Sequence, residues 1–191
     1  MTIITVPHLT LRTVAEPVTV VDKKLKQLIR DLGKTLVATT DPPGVGLAAP
    51  QVNAKRRLFA TYLPEDESKD SPQHLRVIIN PSIADFSDKV IFGPKKDEQR
   101  LEGCLSIPHI YGPVPRWQWV EYTFQELVGD ELVERTERFS DFDARVMQHE
   151  YDHLEGVLFT DYSLKFDLPI FKENPKTEKM EEIDKEVIAL I

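Results

Sequence analysis

Gln148-His149-Glu150-Tyr151-Asp152-His153 is the stretch on which the fold turns. Read as a helix at 3.6 residues per turn, it puts His149 and His153 on one face about 40° apart, with Glu150 roughly 100° from His149 and on the same side. Two imidazoles could then bind one cation while Glu150 faces a water beside it. The flanks favour a helix. Ser140 followed by Asp143 reads as a capping box, Ala144, Arg145, Met147 and Gln148 are good helix formers, and Gly156 stands where a left-handed C-terminal residue belongs. The spacing predicts a helix from about Asp141 to Leu154. A bare H-E-x-x-H also occurs by chance on core helices, so a third ligand is needed to decide the reading.

Around this helix the chain is rich in strand signals. Leu25, Leu28, Ile29, Leu32 and Leu36 predict an amphipathic helix from Asp22, its N-cap, to about Ala38. Residues 57–62 and 75–80 read as short strands on either side of a polar loop from Pro64 to Gln73. Val120, Tyr122 and Phe124 alternate with Glu121, Thr123 and Gln125, and Gly129-Asp130 turns this strand into a second one from Leu132 to Phe139, a hairpin with one wet face. Strands in runs with helices at either end indicate an α+β class, with mainly antiparallel β-sheets packed around the central helix that carries the motif. The 191 residues fit a single catalytic domain over 1–191, and Met180, Ile183, Val187 and Leu190 predict a C-terminal helix near 177–191.

Composition narrows the partners. The chain is 41% hydrophobic and 29% charged, with a formal net charge of −8. That balance argues against nucleic acid or an anionic membrane as main partner. The N-terminal residues lack a charged and apolar leader pattern, and no stretch approaches the ~18 apolar residues of a membrane span. One cysteine, Cys104, leaves no internal disulfide, and the expectation is a cytoplasmic protein. Cys104 is either a ligand or nucleophile, or an inert buried side chain.

Two further segments carry small residues in unusual order. Gly44-Val45-Gly46-Leu47-Ala48-Ala49-Pro50-Gln51 either lets another backbone come close or is a tight connector. Glu102-Gly103-Cys104-Leu105-Ser106-Ile107-Pro108 is either a site loop or an edge strand closed by Pro108.

Taken together and in order, G-V-G-L-A-A-P-Q, E-G-C-L-S-I-P and Q-H-E-Y-D-H resemble the three signature motifs of the peptide deformylase family. Leu11 to Val18 looks like the family's opening segment, so the resemblance runs from there to about Tyr162. It implies a hydrolase that removes the formyl group from the formyl-methionyl amino end of newly made polypeptides and releases formate. It further implies one divalent metal ion per chain, held by Cys104, His149 and His153 with one position left open, the arrangement of a hydrolytic rather than a structural centre. Family members commonly use Fe2+ and accept Zn2+, Ni2+ or Co2+.

By the same resemblance, Glu150 takes a proton from water and returns it to the leaving amine, and the Gln51 amide and the Leu105 backbone N–H face the oxyanion. The substrate would bind extended along Gly46 and Gly103, with its methionine side chain in a pocket formed by Val45, Leu105, Phe142 and Val146. Glu102 and Arg116 resemble a pair that braces the cysteine loop, and Asp152 is a candidate to orient a ligand imidazole. Some members dock a basic C-terminal helix on the ribosome; here the tail is acidic. The implied partners are therefore nascent formylated chains with transient ribosome proximity, and neither nucleic acid nor membrane. Two other readings share H-E-x-x-H, a zinc endopeptidase and a non-catalytic metal-stabilised interaction domain. The first usually takes its third ligand downstream of the motif, and the second needs a fourth protein ligand.

Overall fold

Asp22 opens the first helix as expected, its carboxylate accepting the Leu25 N–H at 2.7 Å. A computed structural model describes residues 1–64, 71–92, 101–174, 176–177, 179–184, 186 and 188. After a 3-10 turn at Leu9–Arg12 the elements are α1 Lys23–Ala38, β1 Gly46–Ala48, a 3-10 turn Ala49–Val52, β2 Leu58–Pro64, β3 Gln73–Phe86, β4 Val90–Ile91 and β5 Leu101–Cys104. There follow β6 Ile107–Pro113, β7 Arg116–Trp117, β8 Trp119–Val128, β9 Glu131–Ser140, α2 Asp141–Leu154, α3 Phe159–Phe166, β10 Ile170–Glu173 and β11 Met180–Ile183.

The strands form a five-stranded sheet in the order β1-β2-β3-β8-β9, a four-stranded sheet β11-β10-β6-β5 and a β4-β7 pair. Every one of these ladders is antiparallel. Side chains that alternate along β2 and β3 divide the larger sheet between two cores. Leu58, Ala60 and Ile79 face Leu25, Leu32 and Leu36 of α1. Phe59 and Ile78 face the other way, joining Val120, Tyr122, Phe124 and Phe139 around Ala144, Met147 and Leu154 of α2. The motif helix is thereby the central one, and the wet-faced hairpin is β8 and β9, with Val120, Tyr122 and Phe124 buried. Leu11, Ile107, Val114, Leu158 and Phe159 close a third core between the N-terminal segment, the smaller sheet and α3.

Three local expectations are corrected. Ser140 precedes α2 but makes no side-chain capping bond; it is the last residue of β9, paired with Trp119, and the chain turns at Asp141 with φ 51°. Asp141 and Asp143 still place negative charge at the helix N-terminus. Pro108 does not close an edge strand, because β5 turns back at Cys104 into β6 and Pro108 lies within β6.

The C-terminal helix is the third. Met180–Ile183 is strand β11, paired with Ile170–Glu173, and β10 in turn pairs with β6. A short isolated helix is marginal in water, whereas an open sheet edge satisfies backbone groups at once and sets Lys172 opposite Glu181. Val187 and Leu190, and residues 65–70 of the polar loop, lie outside the described residues. No helix among the described residues is long and apolar enough to cross a membrane.

Candidate active site

The three motifs meet where α2 passes the ends of β1 and β5. Gly156, with φ 70°, ends the motif helix in the left-handed conformation, and a side chain there would strike the Arg12 backbone at 2.8 Å. His149 and His153 stack edge-to-face with ring centroids 5.0 Å apart, as the four-residue spacing requires. Cys104 comes to them at the end of β5, its Sγ 3.2 Å from His153 Nε2. One ligand atom from each of Cys104, His149 and His153 lies within 4.8 Å of the other two.

These residues fit a divalent cation. A soft thiolate and two imidazoles are donors that suit zinc or iron, and bonds of about 2.0–2.3 Å let one ion touch atoms separated by 3.2 Å. Burial, followed by the charges of His149 and Arg116, holds His153 well below its ordinary pKa and therefore neutral, the state a ligand needs. For His149 burial opposes the charged form, but contacts with Cys104 and Glu102 outweigh it and make the ring more basic.

Glu102 has a larger part than a loop brace. It is 7% exposed, and its carboxylate receives Arg116 at 3.0 and 2.9 Å, Arg145 at 2.5 Å and His149 Nδ1 at 3.1 Å. Burial raises its pKa, yet the Arg116 charge and the His149 contact hold it well below the usual carboxylate range. An ionised carboxylate only accepts, so His149 donates from Nδ1 to Glu102, which leaves Nε2 as the ring atom available to a cation.

The expected orienting role of Asp152 is not seen. Its two oxygens are taken by Arg116 at 2.5 Å and by the Tyr162 hydroxyl at 3.2 Å, and it serves as a counter-charge for the buried Arg116. Glu102 contacts the imidazole in its place. The Glu102–Arg116 pair is buried rather than a surface ion pair.

Glu150 is 3% exposed, and its Oε2 has no hydrogen-bond partner among the described residues. Burial pushes its carboxyl up to about 7, with His149 opposing and Glu102 adding to the rise. Its other oxygen lies against Gly46, where a Cβ would come within 2.2 Å. Gln51 is 1% exposed and has a fixed orientation. Its Oε1 accepts the Ala48 N–H at 2.8 Å, so its Nε2 must point the other way, toward Ser106 Oγ at 3.2 Å and Cys104 Sγ at 3.5 Å.

A cleft of about 430 Å³ opens onto these groups, and Val45, Gly46, Gly103, Leu105, Phe142 and Val146 all line it. The structure thus brings together the site residues expected from the sequence, with Asp152 joined to Glu102 through Arg116 rather than to an imidazole. It adds Ile3, the Asp41-Pro42-Pro43 turn, His109, Tyr111 and Arg145 to the walls. Gln148, a helix former in the sequence, has a further part: its amide clamps both the N–H and the carbonyl of Trp117, fixing α2 to β7.

The model of the polypeptide deformylase family matches residues 1–167. The chain belongs to the polypeptide deformylase family. The peptide deformylase of Roseiflexus castenholzii is 40% identical over 159 residues, 79% of this chain and 80% of the relative. Among solved structures, the Ehrlichia chaffeensis peptide deformylase superposes with a TM-score of 0.73 at 31% identity, covering 87% of this chain and 89% of that one. The class I type b peptide deformylase of Acinetobacter baumannii, solved with Met-Ala-Ser bound, gives a TM-score of 0.69 at 32% identity over 85% of this chain and 97% of its own. Peptide deformylases are metal-dependent hydrolases that remove the formyl group from the amino end of nascent peptides, and Cys104, His149 and His153 form a group that could hold such a metal ion.

Proposed function

We propose that this chain acts on the formyl-methionyl end of newly made polypeptides, with Glu150 as the proton carrier, Gln51 and the Leu105 backbone N–H as oxyanion donors, and Cys104, His149 and His153 as ligands of Fe2+ in the cell. The observation that carries this reading is the convergence of one cysteine sulfur, two imidazoles and a buried carboxylate whose Oε2 has no partner among the described residues, at the end of a cleft. A divalent cation held there supplies Lewis acidity to water and to the formyl oxygen.

The remaining work falls to the chain. Glu150, raised to about 7 by burial, accepts a proton from water near neutral pH and delivers it to the departing amine. Gln51 Nε2 already points at the Cys104 side of the cleft, because Ala48 fixes the other end of its amide. A donor so placed lowers the barrier by about 2.7–4 kcal/mol when it meets the developing oxyanion. The peptide lies extended between β1 and β5, the terminal strands of the two sheets, and the methionine side chain enters among Val45, Leu105, Phe142 and Val146. The Met-Ala-Ser complex of the Acinetobacter baumannii relative fits a product of this form. A cytoplasmic location and transient ribosome proximity follow from such a substrate.

Release of formate from formyl-Met-Ala under anaerobic conditions, with no cleavage of the internal peptide bond, tests the reading against an endopeptidase. Among tripeptides, formyl-Met should exceed formyl-Gly in kcat/KM by the equivalent of about 1.5–3 kcal/mol, the worth of burying a large unbranched side chain. Acetyl-Met should be a poor substrate because its extra methyl must fit where the formyl hydrogen sits. Equal kcat/KM for formyl and acetyl peptides would make this a general amidase.

Gly46→Ala tests the placement of Glu150. The new Cβ would overlap Oε1 at 2.2 Å, and the carboxylate would have to move. Displacing a proton carrier by about an ångström costs on the order of 10²-fold in kcat, with metal content unchanged. Turnover per bound metal ion is the measurement, and parental turnover would free Glu150 from that geometry.

A further inference from the structure

We propose that Arg145 is a positioning residue for the metal centre, tying the helix that carries His149 and His153 to the strand that carries Cys104. The proposal rests on the reading that these three residues bind a cation.

Arg145 lies one helical turn before His149, so 145, 149 and 153 stand in line on α2. It is 3% exposed. Its Nη1 reaches Glu102 Oε1 at 2.5 Å and the Val114 carbonyl at 3.0 Å, while Nη2 reaches the Ile91 carbonyl at 3.1 Å. Glu102 stands two residues before Cys104 on β5.

The carboxylate of Glu102 is filled. Oε1 accepts from Arg116 Nε and Arg145 Nη1, and Oε2 accepts from Arg116 Nη2 and His149 Nδ1, which together use the four lone-pair positions of an ionised carboxylate. The Arg116 fork sets the carboxylate plane from the β7 side. Arg145 is the donor that comes from α2 together with His149, so it holds Oε2 at the height where the imidazole meets it. Without Arg145 the carboxylate is pinned from β7 alone, and both the Nδ1 contact and the spacing between α2 and Cys104 loosen.

A partner that orients a ligand imidazole is typically worth 10- to 100-fold in metal affinity. In the zinc-loaded full chain, competition with a chelator of known affinity should show Arg145→Met weakening zinc on the order of 10- to 100-fold, with Arg145→Lys recovering part of the loss. Glu102→Gln should weaken zinc comparably. The combined Arg145→Met, Glu102→Gln protein should bind zinc no more weakly than Glu102→Gln alone, because Arg145 acts through that carboxylate.

A merely structural Arg145, valued for its bonds to Val114 and Ile91, gives a different pattern. The thermal midpoint falls while zinc affinity stays parental, or the two losses add; either result overturns the proposal. Should Arg145→Met fail to fold, the cycle of Arg145→Lys with Glu102→Gln decides in the same way: a loss that vanishes in the Glu102→Gln background supports it, and no loss or additive losses overturn it. Formate release is read separately. A parent that binds zinc but deformylates nothing overturns the proposed function and leaves Arg145 to the metal cycle, whereas a parent that binds no zinc overturns both.

Discussion

Glu150→Ala should keep its metal and its fold and lose deformylation by a factor on the order of 10²–10⁴ in kcat, the usual worth of a positioned acid–base group. The carboxylate is not among the ligand atoms grouped around the metal site, so elemental analysis should find the parental metal content. Stability should hold as well. Glu150 is buried with one oxygen unpartnered, and burial has lifted its pKa to about 7; such a group gives little to the folded state and costs desolvation when charged. The thermal midpoint of Glu150→Ala should therefore match or exceed the parent's. A fully metallated Glu150→Ala protein with near-parental turnover would remove the assigned base.

The combination of buried, unpartnered and near-neutral in pKa is what separates Glu150 from the other acidic groups nearby. Glu102 is equally buried but has four donors on its carboxylate, which hold it ionised and make it a fixed acceptor for His149. Asp152 is held by Arg116 and Tyr162. Three carboxylates thus lie close together on β5 and α2, and the number of donors each receives assigns its part: one free to exchange a proton, one to orient an imidazole, one to balance a guanidinium.

Local pattern was enough to read the two long helices and the β8-β9 hairpin, because each has a strong period and a clear boundary residue: Asp22, Gly156 and Gly129. The metal ligands were legible for a different reason. Chemistry confines them to Cys and His, and the helix period confines the two histidines to a four-residue spacing. What the sequence hides is pairing at a distance. Asp152 is the motif carboxylate the sequence offers as an imidazole partner, yet His149 is met by Glu102, 47 residues earlier. Arg145 reads as a helix former on the same face as the ligands, and nothing local reveals that its guanidinium ends on β5. The tail reads as a helix because Met180 and Ile183 are three apart, but the outer edge of β10 captures it as β11. The eight residues of α3 make only about two turns, too few for their period to stand out.

Cys104→Ser should break the metal site while leaving most of the fold. Cys104 is half-buried at the turn between β5 and β6, its Sγ contacts His153 Nε2 and Gln51 Nε2, and it packs against the margin of the third core without being one of its fully buried members. Serine fills nearly the same space. A neutral hydroxyl, however, replaces an anionic sulfur donor, and it stays protonated at pH values where a thiolate beside a cation does not. Zinc or cobalt affinity should fall by two orders of magnitude or more, on the order of the loss expected when a charged donor is withdrawn from a three-residue site. Cobalt-substituted parent protein should show a thiolate-to-metal charge-transfer band in the near ultraviolet, and Cys104→Ser should lack it. A parent without that band has its third ligand elsewhere, which would return the H-E-x-x-H helix to the endopeptidase reading, since the downstream candidates Glu155, Asp161 and Asp167 would then have to supply it. The geometry speaks against that outcome: Glu155 is engaged by Arg57 at 2.7 Å and Asp161 by Arg12 at 2.6 Å, so neither carboxylate is turned to the two imidazoles that Cys104 already faces.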